Sequence, residues 1–486
     1  MLKKMIVTAA ALLLTACAAT PVQDDASIAA KETGPDLQRL AKGVTLPPYE
    51  TVRLENGMQI LLMEKHDVPM ISFEVRVRGG AVADPADKVG VSALLADLLR
   101  RGAGNRDAVE FARTVESAGG VLETSSSKEA IVVAGEFMSR DAALMIELLG
   151  DMLMEPALAR TEFDKLRERS IQQIAAMKDT SLRALTTVYG DAFLFGEHPY
   201  SRAVIGTEAG LANVTYPDVR RYFIEQFGAD RAVLAVVGDF DTATMRARLE
   251  DRFNGWRRAA GTLPEIPEPA PATGNRVLLV NKPGATQTYF YIGNVGVERA
   301  YDQRAALDLV NTVFGGRFTS MLNTKLRVES GLTYGAGSRV TQYSEPGSLA
   351  IVSFTRTEST ADAIDMALGV LERLHAGGLS PAQLASAKAY VLGQFPPELE
   401  TAGGIAERLA AIAFYGLERD DVDRYAERVT AVAPEDARAV VETIYPERGE
   451  LVFVLIGDAA AIRDAAARYG QVTEMHITDP RFRPAE

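Results

Sequence analysis

In ISFEVRV, residues 71–77, every second side chain is apolar: Ile71, Phe73, Val75 and Val77. That is the period of a strand with one face on a core. TVRLENGMQILLME, residues 51–64, holds two such runs around Asn56-Gly57, the signature of a hairpin with a type I′ turn. Further strands are predicted in AIVVAGEFM (130–138), RAVLAVVGD (231–239), RVLLVNK (276–282), TQTYFYIGNVG (286–296), GSLAIVSFTR (347–356) and LVFVLIGD (451–458). Elsewhere the period is helical. In GVSALLADLLRRG, residues 90–102, Val91, Leu94, Leu95, Leu98 and Leu99 form one stripe, closed by Arg100, Arg101 and Gly102. Strands and long helices mix without regular βαβ alternation, which predicts an α+β layer fold.

The pattern occurs twice. TYPDVRRYFIEQFGADRAVLAVVGDFDTATMRARL (215–249) and VAPEDARAVVETIYPERGELVFVLIGDAAAIRDAA (432–466) share one plan. Each is a Pro-started helix (Pro217, Pro434), a buried β run, a Gly-Asp pair (Gly238-Asp239, Gly457-Asp458) and another helix. Upstream, MIELLGDMLMEPALARTEFDKLRE (145–168) and ALGVLERLHAGGLSPAQLASAKAY (367–390) are both helix, break, helix. Between the copies, GTLPEIPEPAPATG carries four prolines and reads as a semi-rigid linker. The expected domains are 46–258 and 275–475, joined by a linker at 259–274 and followed by a tail at 476–486.

Composition adds two constraints. The chain has 486 residues and a net charge of −13, with no Lys/Arg cluster to track a phosphate backbone, so nucleic acid is not an expected partner. The first residues, MLKK followed by MIVTAAALLLTA, pair a basic start with an apolar run too short to span a membrane. They end in LTAC, which resembles a bacterial lipoprotein signal: residues 1–17 would be the signal peptide and Cys17 the lipidated residue. Cys17 is the only cysteine, so no intrachain disulfide exists. Ala18 and Ala19 follow it, pointing to a periplasm-facing outer-membrane anchor, with residues 18–45 as a flexible tether.

One face of the 90–102 helix is odd. Ala93, Ala96 and Asp97 stand at i, i+3 and i+4, where a helix presents metal ligands side by side. Together with the duplicated halves, the linker and the tract FGGRFTSMLNTKLRVESGLTYG (314–335), this chain resembles the pitrilysin/insulinase family of zinc metallopeptidases. The resemblance implies two homologous α/β-roll domains, each an antiparallel-rich mixed sheet covered by helices, forming half of a clamshell. In that family the first half carries H-x-x-E-H on its first long helix, with a further Glu downstream. Here Ala93 and Asp97 replace the two His, Ala96 the catalytic Glu, and Gln173 (or, less aptly, Gln172) the distal Glu. Alanine binds no metal, and one carboxylate with one amide is too few for tetrahedral zinc. Asp97 is free to pair with Arg100 or Arg101. The four histidines, His66, His198, His375 and His476, share no helical turn and offer no substitute site.

In the second half, Arg327 and Tyr334 match the family's Arg/Tyr pair in LRVESGLTYG. By residue type alone Arg327 also reads as a surface cation ending a helix, and Tyr334 as a strand residue packed at its edge. Gly315-Gly316 reads as a helix-to-helix turn or, by resemblance, as part of a peptide cavity wall; Gly331 and Gly335 mark turns. The resemblance implies a subunit with no cofactor of its own. It would supply Arg327 and Tyr334 to a zinc-bearing partner with H-x-x-E-H that cleaves peptides. The alternative is a non-catalytic scaffold or peptide-binding subunit, as respiratory-complex core proteins of the family are.

Overall fold

The computed structural model describes residues 45–484; the signal segment, Cys17 and the tether up to residue 44 lie outside the described residues. The first half runs β1 (Glu50–Arg53), β2 (Gln59–Glu64), β3 (Met70–Arg78), α1 (Val91–Leu99), α2 (Ala108–Ser117), β4 (Val121–Ser126), β5 (Ala130–Met138), α3 (Ala142–Met154), α4 (Arg160–Thr180), α5 (Leu182–Phe195), α6 (Glu208–Asn213), α7 (Tyr216–Gln226), β6 (Ala232–Gly238) and α8 (Thr242–Phe253). Its strands form one sheet in the order β1-β2-β6-β3-β5-β4. Only β2 and β6 pair in parallel.

The second half repeats this plan with β7 (Arg276–Asn281), β8 (Gln287–Val295), α9 (Arg304–Asn311), β9 (Ala336–Val340), β10 (Ser348–Arg356), α10 (Thr360–Gly377), α11 (Pro381–Glu398), α12 (Ala402–Tyr415), α13 (Tyr425–Ala431), α14 (Pro434–Ile444), β11 (Val452–Gly457), α15 (Ala459–Ala466) and β12 (Gln471–His476). Its sheet order is β12-β7-β11-β8-β10-β9, the same as the first, strand for strand. The outer strand beside β2 comes from the N-terminal side, whereas the one beside β7 comes from the C-terminal end. Both halves are antiparallel-rich mixed sheets covered by helices, as the α+β reading expects.

Each half lends the other a helix. α5 of the first half lies across β8 and β11, and α12 of the second half lies across β3 and β6. Both faces of the inner strands are therefore covered, which is why β6 (AVLAVVG) and β11 (VFVLIG) are apolar without alternation and wholly buried. The two faces of β11 enter different cores: Val454 and Ile456 join the one containing Leu185 and Tyr189 of α5, while Phe453 and Leu455 join the other. Gly190 permits the close approach of α5; a Cβ there would stand 2.4 Å from Cδ2 of Tyr291. Under α12, the polar face of β3 is buried with internal partners. Ser72 donates to Glu136 at 2.8 Å, Arg76 donates to Glu74 at 2.6 Å, and the Arg78 guanidinium lies 4.3 Å from the Phe414 ring centre.

The Asn56-Gly57 hairpin forms, but not with a type I′ turn. Gly57 has φ +99° and Asn56 has no positive φ. Gly57 N–H donates to Leu54 carbonyl at 3.0 Å, and Leu54 N–H to Met58 carbonyl at 2.9 Å, a turn one residue longer. The Asn56 side chain explains the choice. Its Nδ2 donates to the carbonyls of Phe253 at 2.7 Å and Trp256 at 3.1 Å, tying the turn to the end of α8. The segment after β12 also crosses between halves. Pro480 carbonyl accepts from Ala209 N–H at 3.0 Å, and Phe482 is buried edge-on against Tyr189.

Candidate functional site

α1 starts at a buried carboxylate. Asp84 accepts from the N–H groups of Gly90 at 2.7 Å and Ser92 at 2.9 Å, capping the helix from outside its own sequence. Burial pushes this carboxyl up to about 7, against those hydrogen bonds. Gly90 precedes the helix with φ +114°, in a spot where a Cβ would meet Leu211 at 2.7 Å. α1 then packs on α4, α7 and β4.

The four positions that resemblance assigns to zinc do not fit it. The Ala96 methyl is buried among apolar neighbours. Ala93 is half-buried on the same helix, and Asp97 forms an ion pair with Arg100 at 3.7 Å. Gln173 is exposed, and Gln172 Nε2 donates to Glu168 of its own helix at 3.2 Å. Among the described residues no group of three or more His, Cys, Asp or Glu side chains is placed to hold a metal ion. The histidines are engaged one by one: His66 with Asp239 at 2.7 Å, His198 with Pro267 carbonyl at 2.7 Å, His375 with Pro446 carbonyl at 3.3 Å and His476 with Thr478 at 2.7 Å.

The second-half tract is built differently. α9 runs into a wide π-helical turn, Thr312–Gly316, and a second π-helical segment spans Thr324–Glu329. Such turns are uncommon and gather at functional sites. Gly315 lets the first one touch β9, since a Cβ there would sit 2.2 Å from the Ser338 amide nitrogen. Arg327 emerges exposed from the second, its guanidinium 4.6 Å from the ring centre of Phe318. Phe318 is 63% exposed, and the buried Asn323 holds its carbonyl at 2.7 Å.

Tyr334 is 82% exposed, yet its backbone is pinned on both sides. Leu332 carbonyl accepts from Thr355 Oγ1 at 2.7 Å, and Gly335 carbonyl from Ser353 Oγ at 3.0 Å. Gly335 N–H donates to Thr333 Oγ1 at 3.1 Å. Gly331, with φ +63°, turns the chain out of the π-helical segment. Tyr334 is thus not packed at a strand edge. A large aromatic ring is held in solvent by a hydrogen-bonded loop. Sequence reasoning missed Phe318 and Asp84. An aromatic after Gly-Gly was the available signal for Phe318, while Asp84 acts on a helix that starts several residues later.

Known proteins share the fold and the repeat. The family model described as Insulinase (Peptidase family M16) matches residues 59–208, and that described as Peptidase M16 inactive domain matches residues 213–391. An uncharacterized zinc protease of Mycobacterium bovis is 26% identical over 407 residues, covering 83% of this chain and 92% of its own. The non-peptidase homolog YmxG of Helicobacter pylori is 24% identical over 350 residues, covering 70% of this chain and 78% of its own. The crystal structure of a peptidase M16 inactive domain from Pseudomonas fluorescens shares the fold, with a TM-score of 0.79 at 20% identity over 85% of this chain and 98% of that one. With both halves of the repeat matched in order, the chain belongs to the insulinase family of M16 peptidases.

Proposed function

We propose that this chain is the zinc-free subunit of a two-chain peptidase and supplies Arg327 and Tyr334 to peptide cleavage centred on a zinc-bearing partner. The observation that carries this is Tyr334 itself, exposed on a pinned loop with no hydrogen-bond partner for its hydroxyl among the described residues. A fold gains nothing from holding a tyrosine there. A peptide carbonyl that develops negative charge during cleavage does gain from a phenol and a guanidinium aimed at its oxygen. The partner would supply the metal chemistry; this chain's α1 positions cannot. Relatives bearing the names zinc protease and non-peptidase homolog fit a family in which the two roles are divided. Strand β4 ends the first sheet, and an extended peptide can add to such an edge within a clamshell. Attachment through lipid on Cys17 would place the complex at the outer membrane, facing the periplasm.

The test is reconstitution. The chain purified alone should cleave no peptide, and addition of an H-x-x-E-H subunit from the same cell should produce activity. Tyr334→Phe should leave complex formation intact and lower turnover by about 10²–10³, with little change in KM. Full turnover by that variant in a verified complex would return Tyr334 to a structural role and favour the scaffold alternative.

A further inference from the structure

Where α12 covers the first sheet, the two halves leave a cavity of about 510 Å³. Arg76 of β3, Arg299 from the segment after β8, and Arg408 of α12 all line it, with Glu398, Glu407, Thr401, Gly404 and Tyr415. Three guanidinium groups on one small cavity repel one another unless anions intervene. Two have them: Arg76 pairs with Glu74 and Arg408 with Glu398. These two side chains are only 16% and 15% exposed.

Arg299 is the exception. Its Nε is buried with no hydrogen-bond partner, and its guanidinium forms no ion pair among the described residues. Burial, and then the charges of Arg304 and Arg408, lower its pKa to about 10. Arg304 is already satisfied by Asp421 at 2.8 Å. The remaining unpaired charge is Glu407, which is exposed on α12. The first turn of α12 adds to the positive side. Thr401 caps Gly404 N–H at 3.0 Å, and both residues border the cavity, so the positive end of a fourteen-residue helix opens on it.

A buried guanidinium N–H without an acceptor is costly, Arg299 is half-buried, and the acceptor that matches its planar fork is a carboxylate. A dianion fits less well, because Glu398 and Glu407 stand on the same wall. The volume exceeds what one carboxylate needs and leaves room for the residue that carries it. We propose that this cavity is a carboxylate subsite, in which Arg299 grips either the C-terminal carboxylate or an acidic side chain of a peptide. The identity of the ligand rests on the peptide-handling reading above, but the site lies wholly within this chain and needs no partner to bind.

The test therefore uses the full chain alone, by fluorescence anisotropy. The probes are a fluorescein-labelled decapeptide of Ala, Gln and Leu with a free C terminus, the same peptide amidated, and the amidated peptide with one internal Glu. The free acid or the Glu peptide should bind, the plain amide about ten- to a hundredfold more weakly, and whichever binds identifies the carboxylate. Arg299→Gln should raise Kd for the binding peptide by the same factor, and Arg299→Lys, which keeps charge but loses the fork, should recover only part. Glu407→Gln should tighten binding. Thermal melts confirm that each variant is folded, and Arg299→Lys carries the test if Arg299→Gln is not. Equal affinity for all three peptides, no binding of any, or no effect of the Arg299 substitutions would overturn the proposal. So would inorganic phosphate displacing the peptide below the peptide's own Kd, which would make this a phosphate site.

Discussion

Gly190→Ala tests the exchange of helices between the halves. In an open helix this change stabilises by about 1 kcal/mol, because glycine gives up more backbone freedom than alanine on folding. In α5 the new methyl would lie 2.4 Å from Cδ2 and 2.7 Å from Cε2 of Tyr291, a buried ring on β8. Overpacking of this kind costs about 1–3 kcal/mol, so after the gain of about 1 kcal/mol the net expectation is a loss of up to about 2 kcal/mol. Gly369 of α10 supplies the control, since a Cβ there meets nothing within 4 Å, and Gly369→Ala should stabilise by about 0.5–1 kcal/mol. Urea unfolding followed by far-UV circular dichroism gives both values as shifts in midpoint at constant slope. A third variant isolates the contact: in a Tyr291→Leu background, Gly190→Ala should cost less than in the parent chain. If Gly190→Ala proves as stable as Gly369→Ala, α5 does not bear on the second sheet as described.

Three further outcomes are expected. Asp84, raised from 3.8 to about 7 by burial, should make stability fall as pH climbs between those values, because the unfolded chain releases its proton first; above about 7 the loss is complete. Asp84→Asn should abolish that slope in urea midpoints measured from pH 4 to 8, and a difference from the parent that is constant with pH would refute the assignment. Gly315→Ala, whose methyl would meet the Ser338 amide nitrogen at 2.2 Å, should destabilise by about 1–3 kcal/mol in the same assay, and an unchanged midpoint would contradict the close packing of the π-helical turn on β9. Cys17→Ser should block removal of the signal segment and abolish lipid labelling; a variant processed like the parent chain would remove the lipoprotein reading.

Much of this fold was legible because its cues are local. Alternation located β3, and Pro217 and Pro434 marked the two helices that precede the central strands. The repeat announced two sheets of one design. What was not legible is long-range. The alternation of β3 suggested a wet polar face, but Ser72 and Glu74 are buried under a helix more than three hundred residues downstream. Asn56-Gly57 announced the hairpin, while the contacts of the Asn56 side chain with residues near Trp256 selected the turn. At the candidate site, helical spacing set Ala93, Ala96 and Asp97 on one face, and the family resemblance alone marked them as metal positions. The arginine cavity could not be read in this way, because Arg76, Arg299 and Arg408 meet only when the halves are assembled.

The exchange of α5 and α12 also sets a timetable for synthesis. When the ribosome has made the first half, α5 has no sheet to lie on, and β3 and β6 lack the helix that covers their second face. The second face of β3 and β6 stays bare until residues beyond 402 have emerged, and although β8 comes earlier, the strand β11 that completes the bed of α5 comes later still. The contacts that complete both sheets are therefore among the last to form, and a nascent chain exposes apolar surface through most of its elongation. A chain stopped at the proline linker is not half of this protein in the sense of a smaller stable domain. It is a sheet with one bare face and a helix with nothing to cover, and it is the form that chaperones and proteases would meet first.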